Sequence, residues 1–90
     1  MLKIRDEIDL KELEKYGWKT FYVKKNKKQI LYAVKDIFVN YNWYRIGVNE
    51  IDRKFTKSKF RIGKCLLDVK VTKKDIEDLI QAGLVEKVEE

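Results

Sequence analysis

The side chains with the clearest chemical potential are basic and aromatic residues that alternate through the middle of the chain. A basic cluster at residues 24–28 is followed by Tyr41-Asn42-Trp43-Tyr44-Arg45 and by further basic residues between positions 53 and 61. Proteins bind single-stranded nucleic acid with cations that follow the phosphates and aromatic rings on which bases stack. The candidate nucleic-acid-binding residues are Lys24, Lys25, Lys27, Lys28, Trp43, Arg45, Arg53, Lys54, Lys57, Lys59 and Arg61.

The same residues also fit two simpler roles, solubility and core packing. Lysines on a strand-rich surface keep a small β protein soluble and protect the edges of its sheet. The aromatic residues Tyr41, Trp43 and Tyr44 would equally serve the core, because a chain of 90 residues has a thin one. Alternate residues of a strand point to the same side, so we expect Trp43 and Arg45 to share one face of the sheet.

The net charge of +6 is distributed unevenly along the chain. Residues 19–64 hold thirteen basic and three acidic side chains, for +10, whereas residues 1–18 and 65–90 carry −1 and −3. A segment of this kind attracts polyanions at long range. No RNP-like motif, recognition-helix pattern or other specific fingerprint of nucleic-acid binding accompanies it, so this prediction rests on the charges and aromatic residues alone.

Residues that commonly perform catalysis or bind metals are scarce. The chain has no histidine and one cysteine, Cys65, which excludes Ser-His and Cys-His nucleophiles and zinc sites of His or several Cys ligands. Cys65 falls on the apolar side of a predicted strand, where we expect a buried structural thiol. The acidic residues at positions 6–9 and 75–78 surround expected helix N-termini, which carboxylates stabilise. We therefore predict a non-enzymatic protein with no catalytic residue, metal or cofactor.

Two short helices are expected on either side of the basic middle. Asp9 is a typical N-cap, Glu12 stands at the capping-box position, and Gly17 supplies the left-handed residue that ends the helix. The second helix repeats this pattern between Thr72 and Gly83.

Between the helices the apolar period changes from 3.6 to 2, which predicts strands at 20–25, 29–39, 41–48, 54–60 and 63–71. Short additional strands are expected at 2–5 and 85–88. The segment 29–39 is apolar on both faces, so we expect a central strand, with a bulge at Asp36. The segment 54–60 is so charged that we expect a sheet edge.

These elements predict one α+β domain over residues 1–90: an antiparallel sheet of four to six strands with the two short helices packed on one face. The expected core comes from both helices and from alternating strand positions: Leu10, Leu13, Trp18, Phe21, Val23, Ile30, Tyr32, Val34, Ile46, Leu67, Val69, Ile76, Leu79, Ile80 and Leu84. A sheet with a charged edge can also dimerise, so a homodimer stays open.

The two ends of the chain resemble a group of small phage proteins. MLKIRDEIDLKELEKYGW and DIEDLIQAGLVEKVEE look like the ends of small hypothetical proteins of phages and prophages in Gram-positive bacteria. The resemblance covers residues 1–18 and 75–90 and implies a mobile-element origin, a bacterial cytoplasm and a role in binding. It carries over no functional residue.

A cytoplasmic location is also expected from the residues. No apolar run approaches the roughly 20 residues that span a bilayer, and MLKIRDEIDL mixes charges in a way untypical of a signal peptide. A single cysteine is typical of a reducing compartment. We therefore expect no membrane partner and hypothesise a binding module that contacts nucleic acid. The alternative is an interaction module that engages a host or phage protein through an edge strand or the aromatic face.

Overall fold

The computed structural model describes residues 2–61 and 64–88 and, within them, all side chains except those of residues 61 and 64–68. Its elements in chain order are β1 (Leu2–Ile4), a 3₁₀ helix that we call the N-terminal helix (Leu10–Tyr16), β2 (Lys19–Lys25), β3 (Lys28–Val39), β4 (Asn42–Asn49), β5 (Thr56–Arg61), β6 (Lys64–Val69), a 3₁₀ turn (Lys73–Ile76) continuing as α1 (Glu77–Gln81), and β7 (Val85–Lys87). The 3₁₀ turn and α1 together form the C-terminal helical segment.

The strands form two antiparallel sheets. Strands β2 to β6 pair in chain order as a five-stranded meander, and β1 pairs with β7 in a separate two-stranded sheet. With the two short helices, this confirms the predicted α+β class in broad terms. The predicted bulge at Asp36 is wrong, because the β3–β4 register runs unbroken from Tyr32 to Val39. The irregularity lies instead between Lys57 and Lys59 of β5.

The charged strand β5 is not a sheet edge as predicted, since it lies between β4 and β6. Its Lys57 ammonium group reaches the Asp75 carboxylate at 2.9 Å, in a pair whose side chains are each 11% exposed. The same ammonium group lies 4.8 Å from the centre of the Tyr44 ring. A partner on the C-terminal helical segment therefore neutralises Lys57, one of the charges that suggested an edge.

Both helices begin and end where their capping residues predict. The Asp9 carboxylate accepts a backbone N–H at 3.0 Å, and Gly17 ends the N-terminal helix with a φ of 87°. At the second helix, the Thr72 N–H donates to the Asp75 carboxylate at 2.9 Å, and Gly83 has a φ of 76°. Glycine adopts this left-handed backbone without steric cost, which is why it ends helices.

Two-residue turns close the first two hairpins of the meander. Asn26 and Lys27 join β2 to β3 with φ values of 51° and 64°, and Asn40 and Tyr41 join β3 to β4 with the same two values. Two consecutive positive φ values are typical of type I′ turns, whose twist suits a tight hairpin. A turn of fixed length also sets which residues pair across the hairpin.

One face of the five-stranded sheet joins the core, and we call it the covered face; the opposite side is the open face. The buried cluster combines this face with both helical segments and β1: Ile4, Leu10, Leu13, Trp18, Leu31, Ala33, Ile46, Val48, Ile76, Leu79 and Leu84. On β3 the buried residues are Leu31 and Ala33. The predicted core residues Ile30, Tyr32 and Val34 alternate with them, lie on the open face and are half-buried.

The remaining core predictions divide as follows. Seven are confirmed as buried: Leu10, Leu13, Trp18, Ile46, Ile76, Leu79 and Leu84. The prediction is wrong for Phe21 and Ile80, which are exposed, and Val23 and Val69 are half-buried. The side chain of Leu67, like that of Cys65, lies outside the described residues.

Candidate nucleic-acid interface

Large aromatic side chains line the open face of the sheet. The strand register places Phe21 opposite Tyr32, Phe38 opposite Trp43, and Phe60 on the far side of Trp43. Phe21, Phe38 and Trp43 are 42%, 56% and 53% exposed. The alternative that Trp43 fills the core is therefore wrong.

The neighbouring aromatic residues at the hairpin between β3 and β4 have different environments. Tyr44 is half-buried on the covered face, whereas Tyr41 is 94% exposed in the turn. The idea that these tyrosines serve the core is therefore wrong for Tyr41, and Tyr44, although half-buried, is not among the described core residues.

Four of the described rings on the open face form two pairs. The Phe21 and Tyr32 rings stack nearly parallel, with 5.9 Å between their centroids and 13° between their planes. The Phe38 and Trp43 rings lie 5.1 Å apart and are tilted by 39°. Exposed aromatic rings of this kind provide the π surfaces on which nucleobases stack.

Basic residues outnumber acidic ones on the same face. Its described residues carry a net charge of +4, from one aspartate and five basic residues: Asp36, and Lys19, Lys25, Lys28, Arg45 and Lys54. The Arg45 guanidinium binds both oxygens of Asp36, at 2.7 and 3.1 Å, and lies 5.3 Å from the centre of the Phe60 ring. The hydrogen bonds from Arg45 hold the pKa of Asp36 below its ordinary value. The Asp36 carboxyl group is therefore ionised at physiological pH, and the positive charge of Arg45 compensates its negative charge.

A shallow recess interrupts the open face. It has a volume of about 190 Å³ and is bordered by Gly47, Asn49, Thr56 and Ser58 together with Arg45. A Cβ atom on Gly47 would lie 3.4 Å from Thr56 Oγ1, which is an ordinary contact. The recess therefore results from small residues facing each other across β4 and β5, and its rim offers hydroxyl and amide groups for hydrogen bonding.

The structure brings together only part of the predicted site. Trp43 and Arg45 share the open face, as their spacing predicts. Lys25 and Lys28 also point to this face, but at the opposite end of the sheet. Lys28 and Phe38 are ten residues apart in β3, so about 33 Å separates their backbones at the usual rise of about 3.3 Å per residue. The basic hairpin and Trp43 are therefore two distant parts of one surface.

Several predicted site residues lie away from the rings. By strand alternation Lys24, Lys57 and Lys59 occupy the covered side, and Lys27 lies in the turn between β2 and β3. Lys57 is in addition held by Asp75. These four lysines do not contribute to the aromatic surface.

The two basic residues that precede β5 have different positions. Arg53 Nη1 donates to the carbonyl oxygens of Arg5 and Ile8 at 2.8 and 2.6 Å. This guanidinium therefore links the backbone of residues 5–8 to the segment that precedes β5. Lys54 borders the recess of the open face. The side chain of Arg61 lies outside the described residues.

The sequence prediction missed five residues of this surface: Lys19, Phe21, Tyr32, Phe38 and Phe60. A signal existed for Phe38, because a two-residue turn at positions 40 and 41 places it opposite Trp43. The sequence predicts Phe21 and Tyr32 in the core, because the apolar residues of β2 and β3 do not reveal which face is covered.

A larger cleft lies between the covered face and the C-terminal helical segment. Its volume is about 640 Å³, and four of the charged groups that line it form two ion pairs: Lys57 with Asp75 at 2.9 Å, and Lys35 with Asp78 at 3.4 Å. Burial raises the pKa of Asp75, but hydrogen bonds from Thr72 and Lys57 outweigh it and leave that pKa below its ordinary value. An aspartate that stays ionised and pairs with a lysine is typical of an ion pair that holds a helix in place. It is less suited to act as a general acid or base near neutral pH.

Comparison of the chain with protein-family models, with curated proteins and with solved structures finds no match. Within the part of the chain that the structure describes, no helix is long and apolar enough to cross a membrane. We therefore infer a function from the geometry of the open face alone.

Proposed function

We propose that the protein is a non-enzymatic module that binds single-stranded nucleic acid on the open face of its sheet. The observation that carries the proposal is that exposed aromatic rings and a net positive charge occupy the same face. Bases would stack on rings such as Phe38 and Trp43 while the lysines neutralise phosphates. A single strand fits better than a duplex, because the bases of a duplex are already stacked on each other.

We also propose that both helices pack on the covered face of the five-stranded sheet. Lys35 Nζ supports it, because this group reaches Asp78 of α1 at 3.4 Å and donates to the carbonyl oxygen of Tyr16 in the N-terminal helix at 3.3 Å. The pair of Lys57 and Asp75 adds a second link to the C-terminal helical segment. With both helices on one side, the described part of the chain leaves the other side accessible to a ligand.

Trp43 provides the readout for the first test. Trp18 is buried, so quenching of tryptophan fluorescence by a twelve-nucleotide oligothymidine would report on Trp43. Trp43→Ala should weaken binding, measured by anisotropy of a labelled oligonucleotide, by about 1–3 kcal/mol, or roughly 5- to 150-fold. The matched control is Tyr22→Ala, which removes a ring that is 54% exposed on the other side of β2 and should leave affinity unchanged.

Salt dependence tests the role of the charges. Affinity for a single strand falls with salt with a slope of about −0.7 per neutralised phosphate. Three or four phosphate contacts on the open face would weaken binding roughly 20- to 50-fold between 50 and 200 mM salt. An absence of binding at low salt, or equal losses for Trp43→Ala and Tyr22→Ala, would contradict the proposal.

A second candidate function is interaction with a host or phage protein. The observation in its favour is that β2 is a terminal strand of the five-stranded sheet, to whose outer edge an extended peptide could add. The basic side chains of β2, Lys19, Lys24 and Lys25, favour an acidic peptide. Such a peptide should protect the β2 amides from hydrogen exchange, and unchanged exchange would argue against this function. The mobile-element origin stays a prediction.

A further inference from the structure

We infer that the open face holds nucleic acid at two separate stacking stations, so that its ligand is a single-stranded segment of about four to seven nucleotides. One station is the pair Phe21 and Tyr32, and the other is the pair Phe38 and Trp43. The inference rests on the proposed function and adds to it the length of strand that is recognised. Mononucleotides and dinucleotides are then too short to be the ligand.

The length follows from the spacing of the stations along β3. Tyr32 and Phe38 are six residues apart in one strand without a register break. At about 3.3 Å per residue the Cα atoms of Tyr32 and Phe38 are about 20 Å apart. A stacked strand advances about 3.4 Å per nucleotide and would need about six steps to cover this distance, whereas a splayed strand needs fewer. A single base therefore cannot contact both stations.

The surface between the stations suits the sugar and phosphate of bridging nucleotides. The recess at Gly47 is a shallow depression in the surface between the stations, and Thr56 and Ser58 place polar groups at its rim. Arg45 lies beside the recess, held by Asp36 on one side and by the Phe60 ring at 5.3 Å on the other. A strand can thus cross the middle of the face through polar contacts while its outer bases stack on the rings.

Two linked stations make affinity depend on the length of the ligand. Once a base is stacked at one station, the other binds the same strand intramolecularly, at an effective concentration of the order of mM when the linker spans the gap. A dinucleotide cannot gain this advantage. We therefore expect affinity to rise by at least about tenfold between oligothymidines of two and eight nucleotides.

The experiment titrates oligothymidines of two, four, six, eight and twelve nucleotides and follows the fluorescence of Trp43. We expect Phe21→Ala to weaken binding of the eight-nucleotide strand about tenfold, because the distant station is lost. The same variant should leave the quenching of Trp43 by the dinucleotide unchanged. Tyr22→Ala, which alters the next residue of β2 on its other side, should change neither value.

The outcomes separate this inference from the proposed function. If no oligothymidine binds the wild-type protein or quenches Trp43, the proposed function fails and the inference with it. If strands bind but affinity is independent of length, or if Phe21→Ala has no effect at any length, the two-station inference alone is overturned. Phe21→Leu keeps an apolar side chain against Tyr32, so a loss of length dependence with an unchanged melting temperature in this variant also supports the second station.

Discussion

The ion pair of Lys57 and Asp75 should contribute more to stability than that of Lys35 and Asp78, although both join the covered face to the C-terminal helical segment. In the first pair the Nζ–Oδ2 distance is 2.9 Å and both side chains are 11% exposed; in the second the distance is 3.4 Å and the side chains are 28% and 38% exposed. Removing one partner of a buried pair costs about 3–5 kcal/mol, because a charge is left without compensation, whereas exposed pairs contribute about 0–1 kcal/mol. We expect Asp75→Asn to lower the free energy of unfolding by about 3 kcal/mol and Asp78→Asn by less than about 1 kcal/mol.

Urea unfolding followed by circular dichroism measures this difference. With a slope of about 1–1.5 kcal/mol per molar urea, a loss of 3 kcal/mol moves the midpoint down by about 2–3 M. The double variant Lys57→Met with Asp75→Asn removes both charges and should recover a large part of the loss. Equal losses for Asp75→Asn and Asp78→Asn, or no recovery in the double variant, would refute the reasoning.

Three further predictions concern the core, a turn and acid stability. Leu79→Ala should cost about 2–5 kcal/mol in urea unfolding because its side chain is fully buried, whereas Ile80→Ala, one residue later and exposed, should cost less than about 1 kcal/mol; similar losses would argue against this core. Lys27→Gly should raise the melting temperature by about 4–8 °C, because glycine adopts the φ of 64° at about 1 kcal/mol less cost; a lower melting temperature would contradict it. Asp36 and Asp75 have pKa values lowered in the folded state, so the stability they provide is present above their ordinary value of 3.8 and is lost as the pH falls through the folded values. Melting temperatures recorded against pH should show this loss, and Asp36→Asn and Asp75→Asn should each reduce it.

Local signals in the sequence predicted the helices, because a cap depends on a few neighbouring residues. Asp9 and Gly17 act within one short helix, and no distant contact is needed to place them. The covered side of β3 could not be predicted in this way. Its residues 30–34 are apolar on both faces, and the buried residues Leu31 and Ala33 share the core with residues distant in the sequence, such as Leu79 and Leu84.

The candidate site shows the same division. Alternation along β4 was enough to place Trp43 and Arg45 on one face. The pairing of Lys57 with Asp75 was not predictable, because the two residues are 18 positions apart and meet only when the C-terminal helical segment packs. Phe21 was also not predictable as a surface residue. It pairs with Tyr32 of β3, and the apolar pattern of these strands does not show which face is buried.

Nuclear magnetic resonance gives the sharpest test of the proposal that single-stranded nucleic acid binds the open face. The chain has two tryptophans, so its ¹⁵N spectrum contains two indole N–H signals, from buried Trp18 and exposed Trp43. On addition of an eight-nucleotide oligothymidine, we expect shifts of the Trp43 indole and of the Phe21 and Phe38 amides, with the Trp18 indole unchanged. An unmoved Trp43 signal, with shifts absent or confined to the turn around Lys27, would contradict the proposal.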